Sequence, residues 1–146
     1  MSTPIIGEYG NKWYYNKQGQ LHRTDGPAIE WVDGNKSWYV NGQLHRPDGP
    51  AVEWDDGDKE WWVNGKLHRT DGPAYEWADG SKAWYVNGQR HRPDGPAIEW
   101  AHGSKEWWVN GQQLTEAEFN ARYGQQPSLD GATIIINGET YKLTKQ

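Results

Sequence analysis

The sequence predicts an all-β fold, in which antiparallel β-hairpins repeat along an elongated array that ends in a short C-terminal helix and a terminal β-hairpin cap. A unit of 23 residues recurs and is marked by His22, His45, His68 and His91. Each unit contains an Asp-Gly or equivalent pair and an Asn-Gly pair, which favour tight hairpin turns. The residues between these pairs alternate with a period of two, as in half-buried strands. Such repetition is typical of solenoid-like arrays.

The repeat divides the chain into three parts. Four units align without a gap: LHRTDGPAIEWVDGNKSWYVNGQ, LHRPDGPAVEWDDGDKEWWVNGK, LHRTDGPAYEWADGSKAWYVNGQ and RHRPDGPAIEWAHGSKEWWVNGQ. These four repeats occupy residues 21–112 and are called units 1 to 4. An N-terminal degenerate half-repeat precedes them in residues 1–20, and residues 113–146 form the C-terminal helix and hairpin cap.

Each unit is expected to be one hairpin. In unit 1, strands over 28–31 and 36–40 flank the pair Asp33-Gly34, whose two positions both tolerate positive φ. The alternation predicts a core set on one face, namely Ile29, Trp31, Trp38 and Val40. It predicts the opposite, mixed polar and aromatic face from Ala28, Glu30, Ser37 and Tyr39.

The C-terminal part shows helix signals followed by a hairpin. Thr115 and Glu118 have the spacing of a capping box, which predicts a helix over 116–123 with Gly124 as its C-cap. The stretch ATIIINGETYKL then predicts a hairpin around Asn137-Gly138. Because array ends expose unpaired strands, we expect these elements to cap the array. Homodimerisation through the Ile-rich hairpin is the functional alternative.

Composition limits the class of protein. The chain has 11 Trp and 8 Tyr, too many aromatic residues for a disordered chain despite a mean hydropathy of -1.08. A net charge of -5 argues against a general nucleic-acid binder, although local basic stripes remain open. The absence of Cys excludes disulfides and thiol catalysis. Neither a membrane-spanning run nor a secretory signal is visible, so we expect a cytoplasmic protein that does not enter membranes.

The candidate chemical groups also repeat. An enzyme normally needs an asymmetric acid and base, whereas this chain presents the same His, Arg, Asp and Glu four times. No nucleophile-elbow, Walker or dinucleotide motif is present. We therefore expect no enzymatic activity, no catalytic residue, no metal site and no cofactor.

Two repeated side chains in the HRxDG segment are candidates for binding. The turn histidines (His22, His45, His68 and His91) are expected to bond a turn carbonyl or a neighbouring aromatic residue, with ligand contact as the alternative. The turn arginines (Arg23, Arg46, Arg69 and Arg92) are expected to pair with the Asp two positions later. An anion-binding rim, joined by Arg90, is the alternative, since Arg matches phosphate geometry.

An aromatic column completes the candidate set. Tyr39, Trp62, Tyr85 and Trp108 alternate at one strand position, either as the trace of a two-hairpin duplication or as a patterned binding surface. The last unit departs from the others in having His102 where they have Asp. With Arg90 and Arg92 nearby, this end of the array is where we would expect a unique pocket, although drift in a terminal repeat explains the difference equally well.

The units resemble MORN repeats. The fragments Trp-Tyr-Val-Asn-Gly-Gln-Leu-His and Glu-Trp-x-Asp-Gly-x-Lys, together with the period, carry this resemblance over residues 9–112. The chain departs from that family where the unit reads His22-Arg23-Thr24-Asp25-Gly26-Pro27-Ala28. This HRxDGPA variant, with its trailing LTEAEF segment, is similar to repeat proteins of bacteriophage and giant-virus genomes. The resemblance implies an extended β array with a binding or scaffolding role in the cytoplasm of a host cell.

Three functions follow as hypotheses. The first is a phage-type protein that binds a host protein and blocks or scaffolds it, possessing the exposed aromatic residues and acidic charge that suit a basic partner. The second is a sponge that sequesters a nucleotide-type immune signal through its Arg, His, Trp and Tyr side chains. The third is a purely structural repeat protein.

Overall fold

The computed structural model describes residues 4–124 in full and the backbone of residues 133–136 and 139–142. It contains one helix, α1 (Glu116–Arg122), in that part of the chain. The strands, in chain order, are β1 (Ile5–Ile6), β2 (Lys12–Trp13), β3 (Ile29–Glu30), β4 (Lys36–Ser37), β5 (Tyr39–Val40), β6 (Gln43–Leu44), β7 (Val52–Glu53), β8 (Lys59–Glu60), β9 (Trp62–Val63), β10 (Lys66–Leu67), β11 (Tyr75–Glu76), β12 (Lys82–Ala83), β13 (Tyr85–Val86), β14 (Gln89–Arg90), β15 (Ile98–Glu99), β16 (Lys105–Val109), β17 (Gln112–Leu114), β18 (Thr133–Ile136) and β19 (Glu139–Lys142).

One antiparallel sheet runs through all four units. Its 11 strands follow the order β1-β2-β3-β4-β7-β8-β11-β12-β15-β16-β17. Beside it lie three two-stranded ribbons, β5–β6, β9–β10 and β13–β14, each closed by an Asn-Gly turn. This arrangement confirms the predicted all-β hairpin array with a short helix after it.

The ribbons and the main sheet are joined because one segment of each unit belongs to both. In unit 1 that segment comprises β4 and β5, which are separated at Trp38. The Trp38 N–H donates to Ala51 O at 2.8 Å, and Trp38 O accepts from the His45 N–H at 3.0 Å. The segment thus pairs with the next unit's first strand and then with its own ribbon strand. Each unit therefore contributes three paired segments, one more than the predicted hairpin.

The two turns of a unit differ in geometry. Asn41 and Gly42 both have positive φ, at 49° and 78°, as predicted for a two-residue hairpin turn. At the first turn only Gly34 has positive φ, at 101°. The Trp31 N–H donates to Asn35 O at 3.0 Å, so the loop holds three residues, Val32 to Gly34, rather than two. This is the type I turn with a glycine bulge that three-residue hairpins favour.

The extra loop residue corrects the predicted core. A two-residue loop would place Ile29 opposite Trp38, whereas the observed partner of Ile29 is Ser37. Because a shift of one residue turns every side chain of a strand to the other face, Trp38 and Val40 lie opposite to Ile29 and Trp31. The predicted set of four is therefore split between the two faces.

Small residues, not tryptophans, are the most deeply buried. The alanine directly before each unit's first strand is 0% exposed: Ala28, Ala51, Ala74 and Ala97. By register these alanines alternate across the sheet with a row of half-buried indoles, Trp38, Trp61, Trp84 and Trp107. A small side chain between two indoles leaves room for the rings to lie along the sheet. The tryptophans thus lie in repeated, half-buried rows on the sheet surface and do not form a closed core.

The helix closes the C-terminal end of the sheet. Thr115 and Glu118 form the predicted capping box, and α1 ends at Arg122 with Tyr123 as C-cap, so Gly124 lies one position beyond the cap. Phe119 is buried with Val109 and Leu114, against Trp107. The predicted hairpin is present as the antiparallel pair β18–β19. Its side chains lie outside the described residues, so capping or dimerisation by this hairpin stays a prediction.

Candidate functional site

The sheet presents two chemically different faces. The first, called the ion-pair face, carries the Ala and Trp row described above, the turn arginines, and a row of alternating charges. That row, read across the sheet, is Lys12, Glu30, Lys36, Glu53, Lys59, Glu76, Lys82, Glu99 and Lys105. Opposite charges on neighbouring strands favour this register.

Each turn arginine stacks on an aromatic ring and donates hydrogen bonds to nearby carboxylates. The Arg69 guanidinium lies 4.2 Å from the ring centre of Trp61, a residue of the preceding unit. Its Nε donates to Asp71 at 2.9 Å, and its Nη1 donates to Pro73 O at 3.2 Å and to Glu76 at 3.1 Å. The Asp71 hydrogen bond lowers the pKa of that carboxyl below its ordinary range. The arginine thus ties two consecutive units together.

The same arrangement recurs along the array. Arg23 lies over Tyr14 in the half-repeat, Arg46 over Trp38 and Arg92 over Trp84, at 4.0 to 4.1 Å. The glycine of each HRxDG segment makes room for it, since a Cβ on Gly72 would lie 2.9 Å from the Arg69 Cζ. The Arg to Asp pairs expected from the sequence are present in all four turns.

Open grooves separate successive HRxDG segments on the ion-pair face. The three grooves measure about 640, 470 and 540 Å³. The largest is lined by the segments of units 3 and 4, with Trp84, His91 and Arg92 among its walls. Since every groove is bordered by the Asp residues that pair with the arginines, negative charge lies beside each guanidinium.

Each turn histidine uses its ring to join the start of its unit to the Asn-Gly turn at the end of the same unit. The Nδ1 of His91 accepts from the Asn110 N–H at 3.1 Å, and the other three do the same at 3.1 to 3.2 Å. The partner is therefore a turn N–H rather than the expected turn carbonyl. Because Nδ1 accepts a hydrogen bond, a neutral ring of this kind carries its proton on Nε2.

The second face, called the aromatic face, carries most of the remaining large rings. Its first row consists of Trp31, Trp54, Trp77 and Trp100, and its second is the aromatic column Tyr39, Trp62, Tyr85 and Trp108. Trp77 stacks on Tyr75 with ring centres 4.2 Å apart and contacts Trp100 at 5.6 Å. Trp54 is 42% exposed, and the other rings of the two rows are half-buried. The pKa of Tyr75 is raised by burial and by nearby carboxylates.

Two carboxylates lie among these rings, in units 2 and 4. Glu60 accepts the indole N–H of Trp54 at 3.1 Å and that of Trp62 at 2.7 Å. Glu106 accepts those of Trp100 and Trp108 at 3.2 and 2.9 Å. Units 1 and 3 have Ser37 and Ala83 at this position, together with Tyr rather than Trp in the aromatic column. The Trp of the column thus occurs in the units that offer its N–H an acceptor.

The C-terminal candidates do not share one pocket. Arg92 lies on the ion-pair face, whereas the Arg90 guanidinium lies 4.9 Å from the ring centre of Trp108 on the aromatic face. His102 stacks on Trp100, with ring centres 6.4 Å apart. Only Arg92 of these three lines the largest groove.

Comparison with protein-family models and with curated proteins gives no match. Within residues 4–124 and the two described strands beyond them, no helix has the length and apolar character of a membrane span. The same residues contain no cluster of three or more His, Cys, Asp or Glu side chains that could hold a metal ion.

Sequence reasoning missed Glu60 and Glu106, the acidic partners of the aromatic face. The sequence signal for them is that the position of Glu60 and the aromatic-column position two residues later change together from unit to unit. In units 1 to 4 these two positions hold Ser and Tyr, Glu and Trp, Ala and Tyr, and Glu and Trp. Residues two apart on a strand share a face, so this pairing of residue types could have indicated a contact.

Proposed function

We propose that the protein is a non-enzymatic binding protein of the phage type that its units resemble, and that its aromatic face binds a host protein and blocks or scaffolds it. The observation that carries the proposal is the double row of incompletely buried Trp and Tyr rings, interrupted by the carboxylates Glu60 and Glu106. Partly exposed rings with a polar tip are the side chains enriched at protein interfaces.

The charges favour a basic protein over a nucleotide as the ligand. The chain carries a net charge of -5. Each turn arginine already contacts an Asp and a Glu, as Arg92 does with Asp94 and Glu99. A phosphate placed there would meet two carboxylates beside each guanidinium, which costs electrostatic free energy. On the aromatic face a cationic partner instead meets the carboxylates Glu60 and Glu106.

The test is capture of a host protein by matched variants. The double variant Trp54→Ser and Trp77→Ser removes two rings of the aromatic face, and Lys59→Ser with Lys82→Ser removes two exposed lysines of the ion-pair face. We expect the wild type and the lysine variant to recover the same stoichiometric partner from host lysate and the tryptophan variant to lose it. Recovery of the same proteins by all three, with each variant shown to be folded, contradicts the proposal.

A nucleotide panel distinguishes the sponge hypothesis. Ligands that bind only the folded state raise its melting temperature by mass action. We expect no concentration-dependent rise with cyclic or linear nucleotides. A rise that disappears in the Arg69→Lys variant would instead assign nucleotide binding to the turn arginines.

A further inference from the structure

The two acidic positions of the aromatic face have the same immediate partners. Each carboxylate receives one indole N–H from the first tryptophan row and one from the aromatic column, as Glu60 does from Trp54 and Trp62. Neither donor is charged, so these hydrogen bonds orient the carboxylate without neutralising it. A cation would complete the site.

In unit 4 the chain supplies that cation itself. The Arg90 guanidinium lies over the ring of Trp108 at 4.9 Å, and its Nη1 is 3.8 Å from Glu106 Oε2. Its Nε donates to the Tyr85 hydroxyl at 3.1 Å. An indole ring, a carboxylate and a phenol oxygen together therefore hold one guanidinium.

The same three groups recur two units earlier as Tyr39, Glu60 and Trp62, but the residue at the position of Arg90 is Leu44. Leu44 pairs with Tyr39 as Arg90 pairs with Tyr85. Its carbonyl accepts from the Gly65 N–H at 2.9 Å, as the Arg90 carbonyl does from Gly111. The backbones are therefore equivalent, and the difference lies in the side chain, which is a half-buried leucine at 44 and an arginine at 90.

The negative charge of Glu60 acts on the hydroxyl of Tyr39. The pKa of Tyr39 is raised, first by burial and then by the negative charge of Glu60. The half-buried Tyr39, Glu60 and Trp62 therefore form one electrostatic environment, which favours a positive group placed between them.

We propose that Tyr39, Glu60 and Trp62 bind an arginine side chain of the partner protein, in the place that Arg90 fills in unit 4. This inference rests on the proposed protein-binding function and identifies the chemistry of its partner. Arginine suits the site better than lysine because its planar fork stacks on an indole while donating to two acceptors at once. We call this cluster the arginine site.

The internal duplicate supplies the matched variants for a test. Leu44→Arg places the chain's own guanidinium in the arginine site, and Arg90→Leu opens the equivalent site of unit 4. The probe is an acetylated and amidated Gly-Arg-Gly peptide, with the Gly-citrulline-Gly peptide as its neutral isostere. Binding is followed at low salt by NMR of the indole N–H signals, assigned by single Trp→Phe variants, and unfolding in urea checks that each variant is folded.

We expect the arginine peptide to shift the Trp54 and Trp62 signals saturably and the citrulline peptide to leave them unchanged. Leu44→Arg should weaken binding roughly tenfold or more, as loss of a cation–aromatic and ionic contact does. Arg90→Leu should add a second set of shifts, at Trp100 and Trp108. Equal binding of the citrulline peptide, or undiminished binding to a folded Leu44→Arg variant, overturns the arginine site.

The captured partner separates this inference from the proposed function. If the partner is retained by Leu44→Arg as tightly as by the wild type, the face binds protein but the arginine site is wrong. If the peptide binds as expected and no variant captures a partner, the site stands and the proposed protein-binding function fails.

Discussion

At the scale of single residues, the turn arginine is the side chain on which most contacts of a unit converge. Arg69 joins the ring of one unit to two carboxylates of the next, and a glycine leaves it the necessary space. A surface ion pair alone contributes little to stability. Here the guanidinium is also stacked and bonded to a carbonyl, so its removal leaves several groups without their partner.

We predict that Arg69→Ala lowers the free energy of unfolding by about 2 kcal/mol, because a stacked and multiply bonded guanidinium is lost. Arg69→Lys should recover only part of this, since an ammonium cannot form the same fork. Thr70→Ala, at the exposed neighbouring position, is the control and should change little. Urea unfolding measures all three, and equal stability of the Lys and wild-type proteins would refute the role of the fork.

The carboxylates that pair with the turn arginines make the stability of the folded protein sensitive to acid. Arg23 lowers the pKa of Asp25 below its ordinary 3.8. For Glu30, burial pushes the pKa up, but hydrogen bonds from Arg23 and Lys12 outweigh it and leave the pKa below 4.5. The folded state therefore binds these protons more weakly than the unfolded chain, so protonation favours unfolding.

Stability should thus be fully present above about pH 5 and fall progressively as the pH drops through 4 and below. Urea midpoints between pH 7 and pH 3 measure this decline. In Glu30→Gln the decline should be shallower, because one linked carboxyl is gone. Stability that rises between pH 5 and pH 3 would contradict the linkage.

At the scale of elements, the three-residue turn determines which side chains share a face. The Asp33-Gly34 pair correctly predicts a hairpin, but local sequence does not distinguish a loop of two residues from one of three. The wrong choice moves Trp38 to the wrong face. By contrast, the helix and its capping box follow from adjacent residues and are predicted well.

The same limit applies to the candidate site. The Arg to Asp pair spans two positions and is predictable, whereas the stacking of Arg46 on Trp38 crosses between units and depends on strand register. The arginine site likewise requires knowing that Tyr39 and Trp62 lie on either side of Leu44. Spacing along the chain carries no direct signal for such contacts.

The alanine row gives a prediction for the sheet. Ala51 is 0% exposed and lies between Trp38 and Trp61 in the register. Ala51→Val should destabilise the protein by about 1–3 kcal/mol, since added methyl groups crowd a packed site. Ala101→Val, at an exposed turn position, serves as the control in the same thermal or urea unfolding measurement. A neutral Ala51→Val would show that the indoles leave spare room.

At the scale of the whole molecule, the charge row and the inter-unit contacts repeat with the unit. A unit mainly contacts its neighbours, as in other repeat arrays. Deleting one whole 23-residue repeat should therefore join two units that pack on each other as neighbouring units do. Deleting one residue fewer should turn the charged side chains of a strand to the wrong face of the sheet.

We predict that deletion of residues 53–75 gives a folded, shorter array, and that deletion of 53–74 does not. The two variants differ by a single residue at the same junction, so composition and length are matched. Circular dichroism and the cooperativity of thermal unfolding distinguish them. Equally cooperative unfolding of both would show that register is not fixed by this junction.

The two ends of the array differ in the contacts that close them. Thr115 occupies the position that a fifth turn arginine would take, and Phe119 packs with Trp107 where the earlier units use a guanidinium. The last contact is therefore apolar and insensitive to salt, whereas the first strand leaves Ile5 and Ile6 exposed at the opposite end. Loss of structure should consequently start at the N-terminal units and travel toward the helix, and the helix should unfold last together with the strands on which Phe119 packs.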